Sequence, residues 1–233
     1  MKVAVITFPG SNCDQDVKLA ISKSINAKVN MIWHTDSTLD KYDLVVLPGG
    51  FSYGDYLRPG AMSARSPVMR AVREHAHRGC LVLGICNGFQ ILTEAGLLKG
   101  TLLTNRSQRF ICSPCWLKVE TNQTPFTCLF NPAEPVQFPI AHGDGMFYLP
   151  KEELDDLESS GRVVFRYVPP PGVEPEGWEN PNGSLNNIAG IINEKGNVLG
   201  MMPHPERATL KRLGDTYGTM LWRSIEHWLR GGI

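Results

Sequence analysis

The 233-residue sequence has no excess of either charge: 23 Lys and Arg balance 23 Asp and Glu. That balance argues against a nucleic-acid or anionic-membrane binder, whose footprint is a basic surplus. No stretch approaches the ~18 consecutive apolar residues that a membrane-spanning helix needs. The first apolar run, Val3 to Phe8, breaks at Pro9-Gly10. It is shorter than a signal-peptide core and has no small-residue cleavage site, so a cytoplasmic protein is expected. Neither G-x-x-x-x-G-K-[ST] nor G-x-G-x-x-G occurs, so the chain carries no visible phosphate cradle. Internal repeats and low-complexity tracts are missing, and no shift in composition marks a linker. One domain over residues 1–233 is expected, large enough to bury roughly 70–75% of its unfolded surface.

Cysteine is present but unpatterned. Cys13, Cys80, Cys86, Cys112, Cys115 and Cys128 are scattered along a mid-sized chain and are expected to be reduced. Cys112-Ser113-Pro114-Cys115 is a lone C-x-x-C. Without a second pair it reads as strand and loop sequence, and no metal site is expected.

Short apolar strands alternate with helical patterns, which predicts βαβ units around a mainly parallel sheet flanked by helices. Strands are expected at Val3–Phe8, Val29–His34, Asp43–Leu47 and Cys80–Ile85. Helices are expected at Asp14–Ile25, from about Pro67 to His77, and at Asn87–Ala95 with Gly96 as a stop. The second half adds further β signal at Trp116–Val119, Val136–Ala141, Arg162–Val168, Ile188–Ile192 and Val198–Met202. Pro169 to Ser184, crowded with Pro, Gly and Asn, reads as a long surface loop. The last helix should bury Tyr217, Leu221, Ile225, Trp228 and Leu229.

Gly84-Ile85-Cys86-Asn87-Gly88 lies where a buried strand meets a helix and repeats the spacing of the G-x-S-x-G nucleophile elbow, with Cys for Ser. The sharp turn strains the nucleophile's backbone, and flanking glycines relieve the crowding. It also sets the thiol at a helix N-terminus, which favours thiolate. A thiol nucleophile needs a base and the base an orienting group. His204-Pro205-Glu206 supplies both. Proline disfavours helical geometry at His204, so an extended segment is expected, with residues i and i+2 on one side. Backbone N–H groups of Asn87 and Gly50 are candidates for an oxyanion hole. Gly50 ends Pro48-Gly49-Gly50, directly after the third strand.

Taken with Phe8-Pro9-Gly10-Ser11-Asn12-Cys13-Asp14, the glycine-rich run Pro48 to Ala61, Ala141-His142-Gly143-Asp144-Gly145, Asn180-Pro181-Asn182-Gly183-Ser184 and Met202 to Arg207, these motifs carry a resemblance. The sequence resembles the class I (triad-type) glutamine amidotransferases, and within them the PurQ-type glutaminase subunits of phosphoribosylformylglycinamidine synthase. The resemblance implies a flavodoxin-like α/β fold. It implies hydrolysis of glutamine through a thioester on Cys86, with His204 and Glu206 completing the triad. Gln90 would contact the bound glutamine and His142-Gly143 would line its backbone. It further implies no cofactor in this chain, with ATP and Mg on a large synthase subunit of the PurL type, and a small third subunit of the PurS type. Two other readings stay open from the residues alone: a stand-alone cysteine peptidase or γ-glutamyl hydrolase, and a non-catalytic binding module.

Overall fold

The computed structural model describes residues 1–210 and 216–232. The chain runs β1 (Lys2–Thr7), α1 (Asp14–Ser24), β2 (Lys28–Trp33), β3 (Leu44–Leu47), α2 (Val68–His77), β4 (Leu81–Ile85) and α3 (Asn87–Glu94). It continues β5 (Thr101–Leu103), β6 (Ile111–Val119), β7 (Val136–His142), β8 (Met146–Tyr148), α4 (Lys151–Ser159), β9 (Val163–Val168), β10 (Ile188–Ile192), β11 (Val198–Met201) and α5 (Tyr217–Leu229).

Nine strands form one sheet in the order β2-β1-β3-β4-β11-β10-β9-β6-β7. The five from β2 to β11 are parallel to their neighbours, and from β10 onward every pairing is antiparallel. This is the expected mainly parallel sheet with added β structure in the second half. Its centre follows from sequence: Leu44–Leu47 and Leu81–Ile85 are wholly buried runs without polar alternation, as strands covered on both faces must be. The helices cover them with periodic apolar faces; α2 buries Val68, Met69, Val72 and Ala76.

The structure departs from the sequence expectations in four places. Strand β6 begins at Ile111, so the whole Cys112–Cys115 segment is strand, paired residue for residue with Phe138–Ala141 of β7. The short β5–β8 pair and helix α4 lie in sequence that gave no clear period. In α4 only Leu154 and Leu157 are buried, too few to stand out among its acidic neighbours. In α5 the buried face is Leu221, Trp222 and Ile225, while Leu229 is exposed. The last turn of a surface helix is near its polar end, and an apolar residue there gains little cover.

The order β2-β1-β3-β4 carries a topological switch between β1 and β3, where open α/β sheets bind ligands at the carboxyl ends of their strands. The carboxyl ends of β3, β4 and β11 are adjacent in the sheet, and each leads into a candidate site residue.

Candidate active site

Strand β4 ends at Ile85 and α3 begins at Asn87, leaving Cys86 alone on the corner with φ 50° and ψ −107°. An L-residue pays for that backbone in strain, which persists only where the surroundings over-determine it. The flanking glycines supply the room. A Cβ on Gly84 would stand 2.6 Å from the carbonyl oxygen of Gly88, and one on Gly88 would overlap the carbonyl oxygen of Leu47. The expected elbow is therefore present, and its glycines are demanded by close packing of α3 on β3 and β4.

Strand β11 delivers His204 beside it. The imidazole is 1% exposed, and its Nδ1 donates to Glu206 Oε1 at 2.6 Å. The backbone N–H of His204 donates to Pro139 O at 2.8 Å, anchoring the segment to β7. The two side chains meet by a different route from the extended path expected. His204 itself is non-helical (φ −102°, ψ 88°), but Pro205–Arg207 make one turn of 3-10 helix. Proline fits the first position of such a turn, where its missing N–H is not needed. That turn folds Glu206 back under the ring.

Gly49 decides how close the base comes to the nucleophile. A Cβ there would lie 2.7 Å from His204 Cε1, 3.3 Å from Cys13 Sγ and 3.4 Å from Cys86 Cβ. Imidazole and both cysteines thus crowd around one missing methyl group. His204 Nε2 makes no hydrogen bond within ordinary limits among the described residues. It faces the Cys86 thiol, whose hydrogen-bond acceptor is Ala141 O at 3.7 Å. Burial alone would lower the imidazole's proton affinity. The Glu206 carboxylate and the Cys86 sulfur override it, and His204 is held well above its ordinary value. An imidazolium so placed has a proton to give to a group leaving from the sulfur's side of the site.

Cys13, in the turn after β1, belongs to one of the motifs of the resemblance, but sequence assigned it no role. Arg207 Nη2 donates to its sulfur at 3.1 Å, and the thiol reaches Asn12 Oδ1 at 3.4 Å. Burial, followed by the Glu206 charge, pushes the Cys13 thiol up to about 12 despite the guanidinium. Of the two thiols at this corner, Cys13 is held neutral. Cys13, His204 and Glu206 also bring ligand-type atoms within 4.8 Å of one another. The Arg207 cation against Cys13, and the commitment of His204 Nδ1 to Glu206, suit proton transfer better than a metal ion.

A cavity of 370 Å³ opens over the sulfur. It is lined by Cys86, His204, Gly50, Gln90, His142 and Gly143, all expected from sequence, and by Asn12, Cys13, Phe51, Asp55, Phe110, Ala141, Asp144 and Arg207. Glu206 lies behind His204 and Asn87 behind the wall. Asn87 is the first residue of α3, so its N–H is among those without an intrahelical partner. Its side chain accepts from Ser52 Oγ at 2.5 Å and donates to Gln90 Oε1 at 2.9 Å. Gly50 has φ 135°, a backbone that L side chains rarely adopt. Gln90 donates onward to Asp144 O at 2.6 Å.

His142 is buried against Asn105, its Nδ1 3.1 Å from Asn105 Oδ1. Burial, then the nearby His204 charge, lowers it to about 4, so it is neutral at working pH. The 143–145 turn after it is pinned from the proline-rich loop. Asn182, fully buried, donates to Gly145 O at 2.8 Å, and Ser184 Oγ to the same oxygen at 3.3 Å. Sequence gave that loop no role; its far end is a brace for the cavity wall. A larger hollow of 970 Å³ between Leu57, Arg65, Arg70 and Glu94 is lined by no cysteine and no histidine.

A profile of the CobB/CobQ-like glutamine amidotransferase domain matches residues 1–230. The phosphoribosylformylglycinamidine synthase subunit PurQ of Gloeobacter violaceus is 54% identical over 225 residues, covering 97% of each chain. The subunit of that name from Thermus thermophilus is 54% identical over 218 residues, covering 94% of each. Among solved structures, a chain in the structure of PurLQS from Thermotoga maritima superposes with a TM-score of 0.87 at 45% identity, covering 98% of both chains.

Proposed function

The chain belongs to the CobB/CobQ-like glutamine amidotransferase family, and on that premise we propose that it is the glutaminase subunit of phosphoribosylformylglycinamidine synthase. It hydrolyses glutamine and hands the ammonia to a synthase subunit that makes formylglycinamidine ribonucleotide in purine biosynthesis. The chain acts as one glutamine amidotransferase domain. The observation that carries the chemistry is the strained Cys86 corner facing an imidazole whose other nitrogen is bonded to Glu206 at 2.6 Å.

The sulfur of Cys86 attacks the side-chain amide carbon of glutamine. The oxyanion points to the N–H groups of Asn87 and Gly50, each worth about 10²–10³ in rate. His204 passes its proton to the departing nitrogen, the C–N bond breaks, and ammonia leaves a γ-glutamyl thioester on Cys86. His204, now neutral, takes a proton from water; hydroxide adds to the thioester carbon, and glutamate leaves as sulfur recovers its negative charge. Glu206 keeps the ring in one tautomer and orientation throughout. Gln90, His142 and Gly143 hold the substrate along the cavity wall. No step calls for a metal ion or cofactor in this chain.

Ammonia released into neutral water is protonated and ceases to be a nucleophile, so a partner must receive it directly. The support for that partner is similarity to subunits named PurQ and to a chain of the PurLQS assembly. We assign ATP and Mg to the PurL-type subunit and a structural place to a PurS-type subunit. No helix among the described residues is long and apolar enough to cross a membrane. The proposed place of action is the cytoplasm, where a thiol nucleophile stays reduced.

The test is a reconstitution with PurL- and PurS-type subunits. Glutamine-driven product formation should vanish in Cys86→Ala while ammonia-driven formation persists. Glutamine-driven synthesis surviving in that variant would remove the proposal.

A further inference from the structure

We infer that Cys13 is a positioning residue for the oxyanion hole: its thiol, held between Arg207 and Asn12, ties the turn that presents the Gly50 N–H to the segment that carries His204 and Glu206. The inference rests on the glutaminase reading above and gives a task to a second sulfur that no step of that reaction uses.

The turn after β1 and the turn after β3 are held face to face. Ser11 bridges Gly50, and three N–H groups cross between the turns. Cys13 donates to Gly49 O at 3.4 Å, Phe51 to Gly10 O at 3.3 Å and Tyr53 to Pro9 O at 2.6 Å. These bonds straddle Gly50 and leave its own N–H without a backbone acceptor among the described residues, free to serve the oxyanion. Asn12 packs directly on Gly50. A Cβ on that glycine would stand 2.7 Å from Asn12 N and 2.9 Å from Asn12 Oδ1. Contact this close makes Asn12 the residue that sets where the Gly50 backbone lies.

Cys13 in turn sets Asn12. The thiol donates to Asn12 Oδ1 at 3.4 Å, and the Asn12 amide makes no other hydrogen bond among the described residues. The same sulfur accepts from Arg207 Nη2 at 3.1 Å, and Arg207 Nε lies 3.9 Å from Asp16 Oδ2 on α1. A chain from Asp16 through Arg207 and Cys13 to Asn12 therefore ends on Gly50. Arg207 shares the one-turn helix of Glu206, so the chain joins the two halves of the catalytic machinery that sequence keeps far apart.

The polarity of this chain suits a thiol and not a thiolate, because sulfur must accept from a cation and still donate to a carbonyl. Burial, which pushes Cys13 up to about 12, keeps that hydrogen in place at neutral pH. Bonds to sulfur are weak one by one. A catalytic group misplaced by about 1 Å nevertheless costs about 10² in rate. An oxyanion donor acts in the transition state, so its displacement lowers kcat and leaves KM nearly alone.

The experiment uses the assembly with its synthase subunits, native and with Cys13→Ala or Cys13→Ser, and reads kcat and KM for glutamine. Ammonia-driven synthesis reports on folding and assembly. Cys13→Ala should lower kcat by about 10- to 100-fold with KM within about threefold of native. In Cys13→Ser the hydroxyl can accept from Arg207 and donate to Asn12, so kcat should return to within about threefold of native. Asn12→Ala breaks the same chain and should also lose kcat, which carries the test should Cys13→Ala fail to assemble. Alkylation of Cys86 by iodoacetamide separates the oxyanion from the nucleophile. It displaces iodide at a saturated carbon and forms no oxyanion, so its rate should be equal in native protein and Cys13→Ala. Three results would each overturn the inference and leave the glutaminase reading standing: an assembled Cys13→Ala with native kcat, a Cys13→Ser no better than Cys13→Ala, or Cys86 alkylation that falls in step with kcat. A native assembly that makes product from ammonia but not from glutamine would remove both.

Discussion

Adding one methyl group at Gly49 should separate the chemistry of this site from its binding. In Gly49→Ala the new Cβ would sit 2.7 Å from His204 Cε1, whereas ordinary contact begins near 3.4 Å. The ring must therefore retreat by roughly 0.7 Å, because carbon atoms at such separations repel steeply. It cannot retreat freely: the imidazole is 1% exposed, its Nδ1 is bonded to Glu206, and its backbone N–H is bonded to Pro139 O. Gly49 does not have a positive φ, so alanine brings no backbone strain to confuse the result. A displacement near 1 Å in a catalytic group is worth about 10² in rate, and overpacking costs about 1–3 kcal/mol in stability. The expected outcome is a fall of about 10² in kcat for glutamine hydrolysis, with KM changed by less than about threefold. Ammonia-driven synthesis by the assembly should be intact, and thermal unfolding should show a cooperative but lowered transition. A kcat within threefold of native in a folded variant would refute the claim that Gly49 sets the distance between base and sulfur.

Three further outcomes follow from the same geometry. Because Cys13 is pushed up to about 12 by burial, brief alkylation with iodoacetamide at pH 8, read by peptide mass spectrometry, should modify Cys86 and spare Cys13; prior labelling of Cys13 would invert the assignment. Asn182→Ala removes the donor to Gly145 O, which should cost about 1–3 kcal/mol in stability and raise KM for glutamine more than it lowers kcat. His142 is lowered to about 4 in the fold, against about 6.5 in an unfolded chain. The unfolded state therefore binds the extra proton first, and the stability His142 contributes is present above pH 6.5 and lost as pH falls toward 4. The stability advantage of native protein over His142→Gln should shrink across that window in denaturant titrations, and an advantage that grows would contradict the neutral assignment.

Sequence disclosed the parts of this site that are local. The glycines flanking Cys86 and the short step from His204 to Glu206 are contiguous in the chain, and a buried strand before each places both at one sheet edge. Partners contributed by tertiary approach were invisible. Cys13 and Arg207 meet across 194 positions of sequence, and although each lies in a motif of the resemblance, neither motif shows that the two touch. Asp55 gains its character from burial first and from Asp144 second, and Asn182 from Gly145, none of which exists until the sheet forms. Gly49 was passed over for Gly50, since both belong to the same strand-exit turn and only coordinates show which one the imidazole touches. The route by which His204 meets Glu206 was misread for a related reason. The proline effect on His204 is correct, but it governs the residue before it and leaves Pro205 free to start a turn. Helix α4 and the β5–β8 pair lay beyond reach because few of their residues are buried, and periodicity reports burial rather than secondary structure itself.

The most direct measurement is an acid quench of the assembly during glutamine turnover, followed by mass spectrometry of the intact subunit and its peptides. The account predicts a subunit heavier by one γ-glutamyl group, localised to Cys86, lost in Cys86→Ser and rising when His204 is replaced so that deacylation lags. Steady glutamine hydrolysis by native protein with the adduct on another residue, or undiminished hydrolysis by Cys86→Ser, would contradict it.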